Sequence, residues 1–270
     1  MSPAAGWPDL LRRACAAAGE AVRDMPPAER RRPVGAGAGG VTTLVVDRAA
    51  EDAVLAVLGA SGRPFRLISE EAGERQVGDA DDRAPWIVLD PIDGSLNAKR
   101  GLPAFATSVA LAEGPSMADV VLGVVRDHGT GEEWIAERGA GATVDGVPVR
   151  AEGEPGELEL VLVEGAYPDR VGPAAAALDG RVHRLRAVGS LALSLCHVAA
   201  GRGDAMVGLG PGRSIDIAAA QLIAREAGLL VGLPREDDLP GMTLRLDARF
   251  HVVGARDPDA MALLQGLLPA

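Results

Sequence analysis

An apolar run, residues 86–89, delivers Asp90, and Pro91, Ile92, Asp93, Gly94 and Ser95 follow at once. Pro91 fixes its own φ and Gly94 permits a sharp turn, so the two carboxylates and the Ile92 carbonyl can converge on one point. Hard oxygen donors of this kind suit Mg²⁺, which keeps waters and bridges to substrate phosphate rather than filling an all-protein cage. If a short helix starts after Ser95, the N–H groups of Gly94 and Ser95 would face that phosphate. The same residues also suit an ordinary acidic turn. Upstream, the run through Ile68 and Ser69 ends in Glu70 and Glu71, a second acidic strand end or else a solvated acidic loop. Downstream, Asp216 falls in the first turn of a helix opening at Arg213, where an Asp also complements the helix dipole.

The elements that must position these groups follow from periodicity. Trp7, Leu10, Leu11, Ala14, Cys15, Ala18 and Val22 mark an amphipathic helix over 7–22. Residues 33–40, glycine-rich and aperiodic, read as a mobile loop. Thr42 or Thr43 is expected to cap a second helix reaching Leu58. Short β runs at 65–69, 86–90, 105–112, 120–126 and 133–136 suggest a largely antiparallel sheet. A boundary is expected near residues 138–159, dividing the chain into an α+β part (1–150) that carries the metal-site loops and an α/β part (151–270) that contributes Asp216 and substrate contacts. In the second part, strands at 158–163, 205–209, 229–231 and 250–253 alternate with helices at 190–200, 214–227 and 258–268.

Composition limits the function classes. The 270 residues carry 27 basic against 38 acidic side chains, a net charge of −11. A pI near 4.9 argues against binding nucleic acid through the bulk surface. An anionic substrate would therefore need a local positive device. Of the basic residues only Lys99 is a lysine, which reads as codon bias rather than chemistry. No apolar run reaches the roughly 18–20 residues of a membrane span, and charges interrupt residues 1–25 where a signal peptide would be apolar. Cys15 and Cys196 sit in apolar helical patterns, unsuited to a disulfide framework or a thiolate metal site. A reducing, cytoplasmic setting is expected. His128, His183, His197 and His251 show no ligand spacing and read as structural or surface residues.

Glu70-Glu71, Asp90-Pro-Ile-Asp-Gly-Ser95, Gly189-Ser190 and Ile215-Asp-Ile-Ala-Ala-Ala220, in this order and spacing, resemble the inositol monophosphatase family of Mg²⁺-dependent, lithium-sensitive sugar phosphatases over nearly the whole chain. The resemblance implies a five-layer αβαβα sandwich of the inositol monophosphatase and fructose-1,6-bisphosphatase type, with the site in a cleft. It implies two to three Mg²⁺ ions. Glu70, Asp90 and the Ile92 carbonyl would bind the first, Asp90, Asp93 and Asp216 the second, and Glu70 with Glu71 a weaker third. Asp47 would hydrogen-bond Ser95 to orient the attacking water. The resemblance further implies a homodimer acting on a small phosphorylated polyol, sugar or nucleoside, with no membrane or nucleic-acid partner. Relatives in the superfamily act on inositol phosphates, fructose 1,6-bisphosphate, histidinol phosphate or adenosine 3′,5′-bisphosphate, and some bacterial members bind transcription machinery. A non-catalytic or moonlighting regulator is therefore the alternative, although every expected metal ligand is retained.

The departures from the family pattern fall on shape and substrate contacts. Ser95 replaces the commoner Thr and keeps the hydroxyl. Ile215 stands where Trp is usual, and Ala220 where Gly is frequent. Gly189, Ser190 and Leu191 lie where the sugar is expected. Leu209 occupies the position at which many inositol phosphatases carry an acid for the ring hydroxyls, and nearby Arg213 offers a fork for a hydroxyl or second phosphate, or is a solvated surface arginine.

Overall fold

Helix α1 (Trp7–Arg23) and helix α3 (Val45–Ala60) bury their apolar stripes against each other and against one face of a sheet, while the short α2 (Pro27–Arg30) lies between them in the chain. A computed structural model describes residues 6–38, 40, 42–151, 156–232 and 241–268. The sheet has eight strands in the order β10-β9-β8-β7-β6-β5-β3-β4. These are β3 (Phe65–Ser69), β4 (Gly73–Val77), β5 (Trp86–Asp93), β6 (Ala106–Ala112), β7 (Val120–Asp127), β8 (Glu133–Glu137), β9 (Gly141–Val144) and β10 (Val147–Val149). All neighbours are antiparallel except β3 and β5, which run parallel.

Alternation in β5 shows how the sheet serves two cores. Ile87 and Leu89 face the α1/α3 layer, whereas Val88 points the other way. That second face is covered by α6 (Leu191–Ala199) and α7 (Ser214–Glu226), both from the later part of the chain. Beyond them lies a five-stranded sheet in the order β12-β11-β13-β17-β15, built from β11 (Leu158–Glu164), β12 (Val182–Arg186), β13 (Ala205–Gly208), β15 (Leu230–Gly232) and β17 (Val253–Ala255). Helices α5 (Pro168–Leu178) and α8 (Pro258–Gln265) bury Ala174, Leu178, Ala260 and Leu264 on its far side. The layers are therefore α, β, α, β, α. Among the described residues no helix is long and apolar enough to cross a membrane.

Several expectations need correction. Residues 33–36 form a strand, β1 (Pro33–Ala36), antiparallel to β2 (Thr42–Leu44); its side chains are all exposed, so no buried alternation betrays it. Thr42 and Thr43 belong to β2 and do not cap α3. The Leu44 N–H is satisfied instead by Asp47 Oδ2 at 3.1 Å, and the Thr43 hydroxyl donates to Glu71. Residues 250–253 are not one strand: β16 (Arg249–Phe250) pairs with β14 (Gly212–Arg213), and β17 begins at Val253. Strands β4, β9, β10 and β12 and helix α5 were not expected from the sequence, each being short or mostly exposed. Of the expected boundary at 138–159, residues 152–155 lie outside the described residues, as does residue 39 of the expected loop at 33–40.

Gly123 in β7 sets how closely α7 approaches the first sheet. A Cβ there would stand 2.7 Å from the Ala219 carbonyl oxygen and 3.0 Å from its Cα, a clash with backbone that rotamers cannot relieve. Gly123→Ala is expected to cost about 1–3 kcal/mol in denaturant unfolding, the usual penalty of overpacking. Unchanged stability would mean that α7 sits less tightly than described.

Candidate active site

Three elements bring the carboxylates together. Glu70 immediately follows β3, Asp90 and Asp93 close the parallel neighbour β5, and Asp216 lies in the first turn of α7. The pairing of β5 with β6 slips between Asp90 and Asp93, because Asp90 faces Ser108 while Asp93 faces Ala106. The extra residue makes a bulge between Asp90 and Asp93, a stretch in which Pro91 has no N–H to give the ladder, and it re-aims both acids. Asp90 is 1% exposed, and its Oδ1 accepts the Ile92 N–H at 3.0 Å. Asp93 accepts from Ser190 Oγ at 2.6 Å and from the Ala192 N–H at 2.7 Å, tying β5 to the start of α6. Ser190 also caps α6 by accepting the Leu193 N–H at 3.1 Å.

Two glycines allow this approach. Gly94 has φ 94°, and a Cβ would lie 3.0 Å from Ala104 O and 3.1 Å from Gly189 O. Gly189 has φ 86°, and a Cβ would lie 2.7 Å from Asn97 Nδ2. Helix α4 (Ser95–Arg100) then begins, and Asn97 donates to the carbonyls of Val188 and Ala104, both at 2.8 Å. From the other side Glu164, at the end of β11, accepts the N–H groups of Val188 and Gly189 and the Ser194 hydroxyl. Glu164 and Asn97 were not singled out from sequence. An acid closing an apolar strand, the signal read at Asp90, could have found Glu164.

Burial sets the electrostatics. It pushes Asp93 up to about 7, with the charge of Asp216 adding to the effect and the Ser190 and Ala192 hydrogen bonds opposing it. It raises Asp90 well above the usual carboxylate range, helped by Glu70, Asp93 and Asp216. Glu70 is raised by burial and drawn back by Arg213. Asp47 is pushed up to about 6, again by burial first. The ionised forms are thus short of solvation and of positive charge.

Other expected residues are placed differently. Ser95 lies within hydrogen-bonding influence of Asp47 and favours its charge, while its hydroxyl also faces the Ile92 carbonyl at 2.9 Å. Glu71 turns toward the β1–β2 hairpin, where Thr43 holds it and Asp47 and Glu51 are its charged neighbours. Arg213 is no surface arginine: its guanidinium donates to Glu70, and Nε lies 3.3 Å from Asp216 Oδ1. Leu191 abuts the cluster, since a Cβ on Gly212 would be 3.1 Å from Leu191 Cδ1 and 3.5 Å from Asp216 Oδ2. Leu209 is buried in an apolar cluster. The four histidines take structural or surface places, His197 edge-on to Trp134 and His251 beside the Gly208 carbonyl.

The donor set fits a hard divalent cation. It is all oxygen, Asp47 Oδ1 is buried with no hydrogen-bond partner, and Asp216 Oδ1 has only the Arg213 guanidinium at 3.3 Å. Among the described residues no three His, Cys, Asp or Glu side chains stand placed to hold an ion by themselves, so waters and substrate would have to complete its shell.

Comparison with known proteins follows the same line. The sequence profile of the Inositol monophosphatase family matches residues 9–262. The chain is 34% identical over 227 residues to the fructose-1,6-bisphosphatase/inositol-1-monophosphatase of Methanothermobacter thermautotrophicus, covering 81% of this chain and 80% of that one. It is 36% identical over 193 residues to Nus factor SuhB of Pasteurella multocida, covering 69% of each. A solved structure described as an inositol monophosphatase-fructose 1,6 bisphosphatase superposes with a TM-score of 0.83 over 97% of this chain and 99% of that one at 23% identity, a likeness of fold.

The raised carboxylates predict a pH dependence of definite sign. Between pH 5 and 7.5 the folded, metal-free protein retains protons on Asp93 and Asp47 that the unfolded chain has released, so its stability falls as pH rises toward about 6 and about 7. Melting in chelator should drop by several degrees across that window, and Mn²⁺ affinity should rise over it, because the ion replaces those protons. A flat melting profile would show that the carboxylates are solvated.

Proposed function

The chain belongs to the inositol monophosphatase family, a family of metal-dependent phosphatases, and from that membership we propose that it is a Mg²⁺-dependent phosphomonoesterase for a small phosphorylated polyol or sugar. The observation that carries the proposal is the gathering of Glu70, Asp90, Asp93 and Asp216 from the ends of two parallel strands and the start of α7. Glu70, Asp90, the Ile92 carbonyl, Asp93 and Asp216 would hold the ions, with Glu71 joining Glu70 through water. When bound, the ions polarise the phosphoryl oxygens and stabilise charge on the leaving oxygen.

The remaining work belongs to the side chains. Asp47 Oδ1, buried and unpartnered, can accept a proton-bearing bond from the attacking water and orient it toward phosphorus. Ser95 holds the Ile92 carbonyl in place, and Gly94 leaves room for the chain turn beneath the phosphate. Gly189, Ser190, Leu191 and Arg213 border the carboxylates and are the candidate contacts to the rest of the substrate. Leu209 supplies no acceptor for a polyol hydroxyl, so the proposal is a broad substrate range rather than strict inositol specificity. The same reading includes lithium sensitivity through Asp216 and a cytoplasmic homodimer. The likeness to Nus factor SuhB supports a second, regulatory reading, which the retained carboxylates make the lesser one.

Turnover of inositol 1-phosphate and fructose 1,6-bisphosphate should vanish on chelation and return with Mg²⁺; full activity in metal-free buffer would defeat the proposal. Asp93→Asn keeps an oxygen for Ser190 and Ala192 but loses the charge, so kcat should fall by about two or more orders of magnitude with melting little changed. Wild-type kcat in that variant would remove Asp93 from the ligand set. Inhibition by millimolar Li⁺ is expected, and insensitivity at tens of millimolar would separate this chain from lithium-sensitive relatives.

A further inference from the structure

Thr107 lies on β6 directly opposite the bulge in β5 and is fully buried. Its hydroxyl donates to the Pro91 carbonyl at 2.8 Å, and the same oxygen is 2.8 Å from His128 Nε2. A carbonyl can only accept, so the Thr107 proton is committed to Pro91 and Thr107 Oγ1 accepts from His128 Nε2–H. That order fixes the histidine tautomer and leaves Nδ1 bare. The bare nitrogen rests against α1 at Gly19, where a Cβ would stand 2.6 Å from it, and the His128 and Phe105 ring centroids are 5.5 Å apart. Burial, with Arg126 and Arg23 nearby, holds His128 down to about 4, so the ring stays neutral.

The Pro91–Ile92 peptide is therefore gripped at both ends. Its carbonyl is held by Thr107, and its N–H donates to Asp90 Oδ1 at 3.0 Å. Turning this peptide plane would release the Asp90 carboxylate and swing the Ile92 carbonyl, the two groups assigned to the first ion. We propose that Thr107 and His128 are positioning residues for the metal loop, acting through the chain His128 to Thr107 to the Pro91 carbonyl. The inference rests on the metal-phosphatase reading above. Neither residue touches substrate or ion, and a buried threonine satisfied for its own sake is the competing explanation.

The two differ in what a conservative replacement restores. Calorimetric titration with Mn²⁺ at pH 7.5, paired with melting in chelator, is the test on wild type, Thr107→Val, Thr107→Ser, His128→Phe and His128→Gln. Valine suits a buried strand, and a cavity of about 280 Å³ beside His128 and Phe105 leaves space for phenylalanine. Thr107→Val and His128→Phe should weaken Mn²⁺ about tenfold, as loss of a ligand-orienting partner does, while melting stays cooperative and falls only by the few degrees that an unsatisfied buried hydrogen-bond partner costs. Thr107→Ser and His128→Gln, which keep the hydroxyl and an Nε2 donor, should bind within about twofold of wild type by the same reasoning. Wild-type affinity in Thr107→Val, or equal losses in valine and serine variants, overturns the proposal. Should Thr107→Val fail to melt cooperatively, the His128 pair decides alone: equal affinity in Phe and Gln variants overturns it. A wild type that takes up no Mn²⁺ instead overturns the metal-phosphatase reading, and this inference with it.

Discussion

Like charges do not gather in a dry place unless the backbone forces them to. Glu70, Asp90, Asp93 and Asp216 repel one another and lose solvation on burial, which is why burial leads the causes that raise the first three. The architecture serves to hold them there. Parallel pairing of β3 with β5 brings two strand ends to the same edge, and the antiparallel remainder of the sheet anchors them. The bulge between Asp90 and Asp93 turns the acids inward, and α6 and α7 bring hydrogen-bond donors and Asp216 from the second half of the chain.

The repulsion is distributed rather than removed. Asp93 is offset by the N-terminal N–H of α6 and a serine hydroxyl, Glu70 by the guanidinium of Arg213, and Glu71 by Thr43. Each partner comes from a different element. Stability and site geometry are therefore the same problem, since no carboxylate can be moved without disturbing a helix start or a strand end. Glu164 and Asn97 illustrate this at one remove: they touch none of the four acids, yet they fix the backbone of Val188 and Gly189 from which Ser190 reaches Asp93.

Much of this was legible in the sequence where one residue type has one physical use. The apolar run into Asp90, the proline and glycine around Asp93, and the 3.6-residue stripe of α1 state their structure directly, and the succession of motifs led to the five-layer fold. What escaped lacks such a signal. The hairpin β1–β2 is glycine-rich and fully exposed in its first strand, so neither propensity nor burial marks it. Ser95 shows a different limit: the sequence supplies the hydroxyl near Asp47, but that the Ile92 carbonyl shares it depends on the course of the backbone after the bulge. Arg213 likewise reads equally as a substrate contact or a surface residue until β3 and α7 are brought together around it.

The covering of the first sheet by α6 and α7 also bears on how the protein is made. Val88, Ala110, Val125 and Trp134 line the face that these helices bury, and the helices begin only at Leu191 and Ser214. A growing chain that has completed β10 still carries that apolar face bare, for some 65 residues more until the second helix has begun. Segments emerging in order from the ribosome do not bring their partners with them, and exposed sheet faces are where nascent chains aggregate. The first half of the chain, although contiguous in sequence, thus cannot mature in isolation: Asp216 arrives on α7, one of the two helices that cover its core.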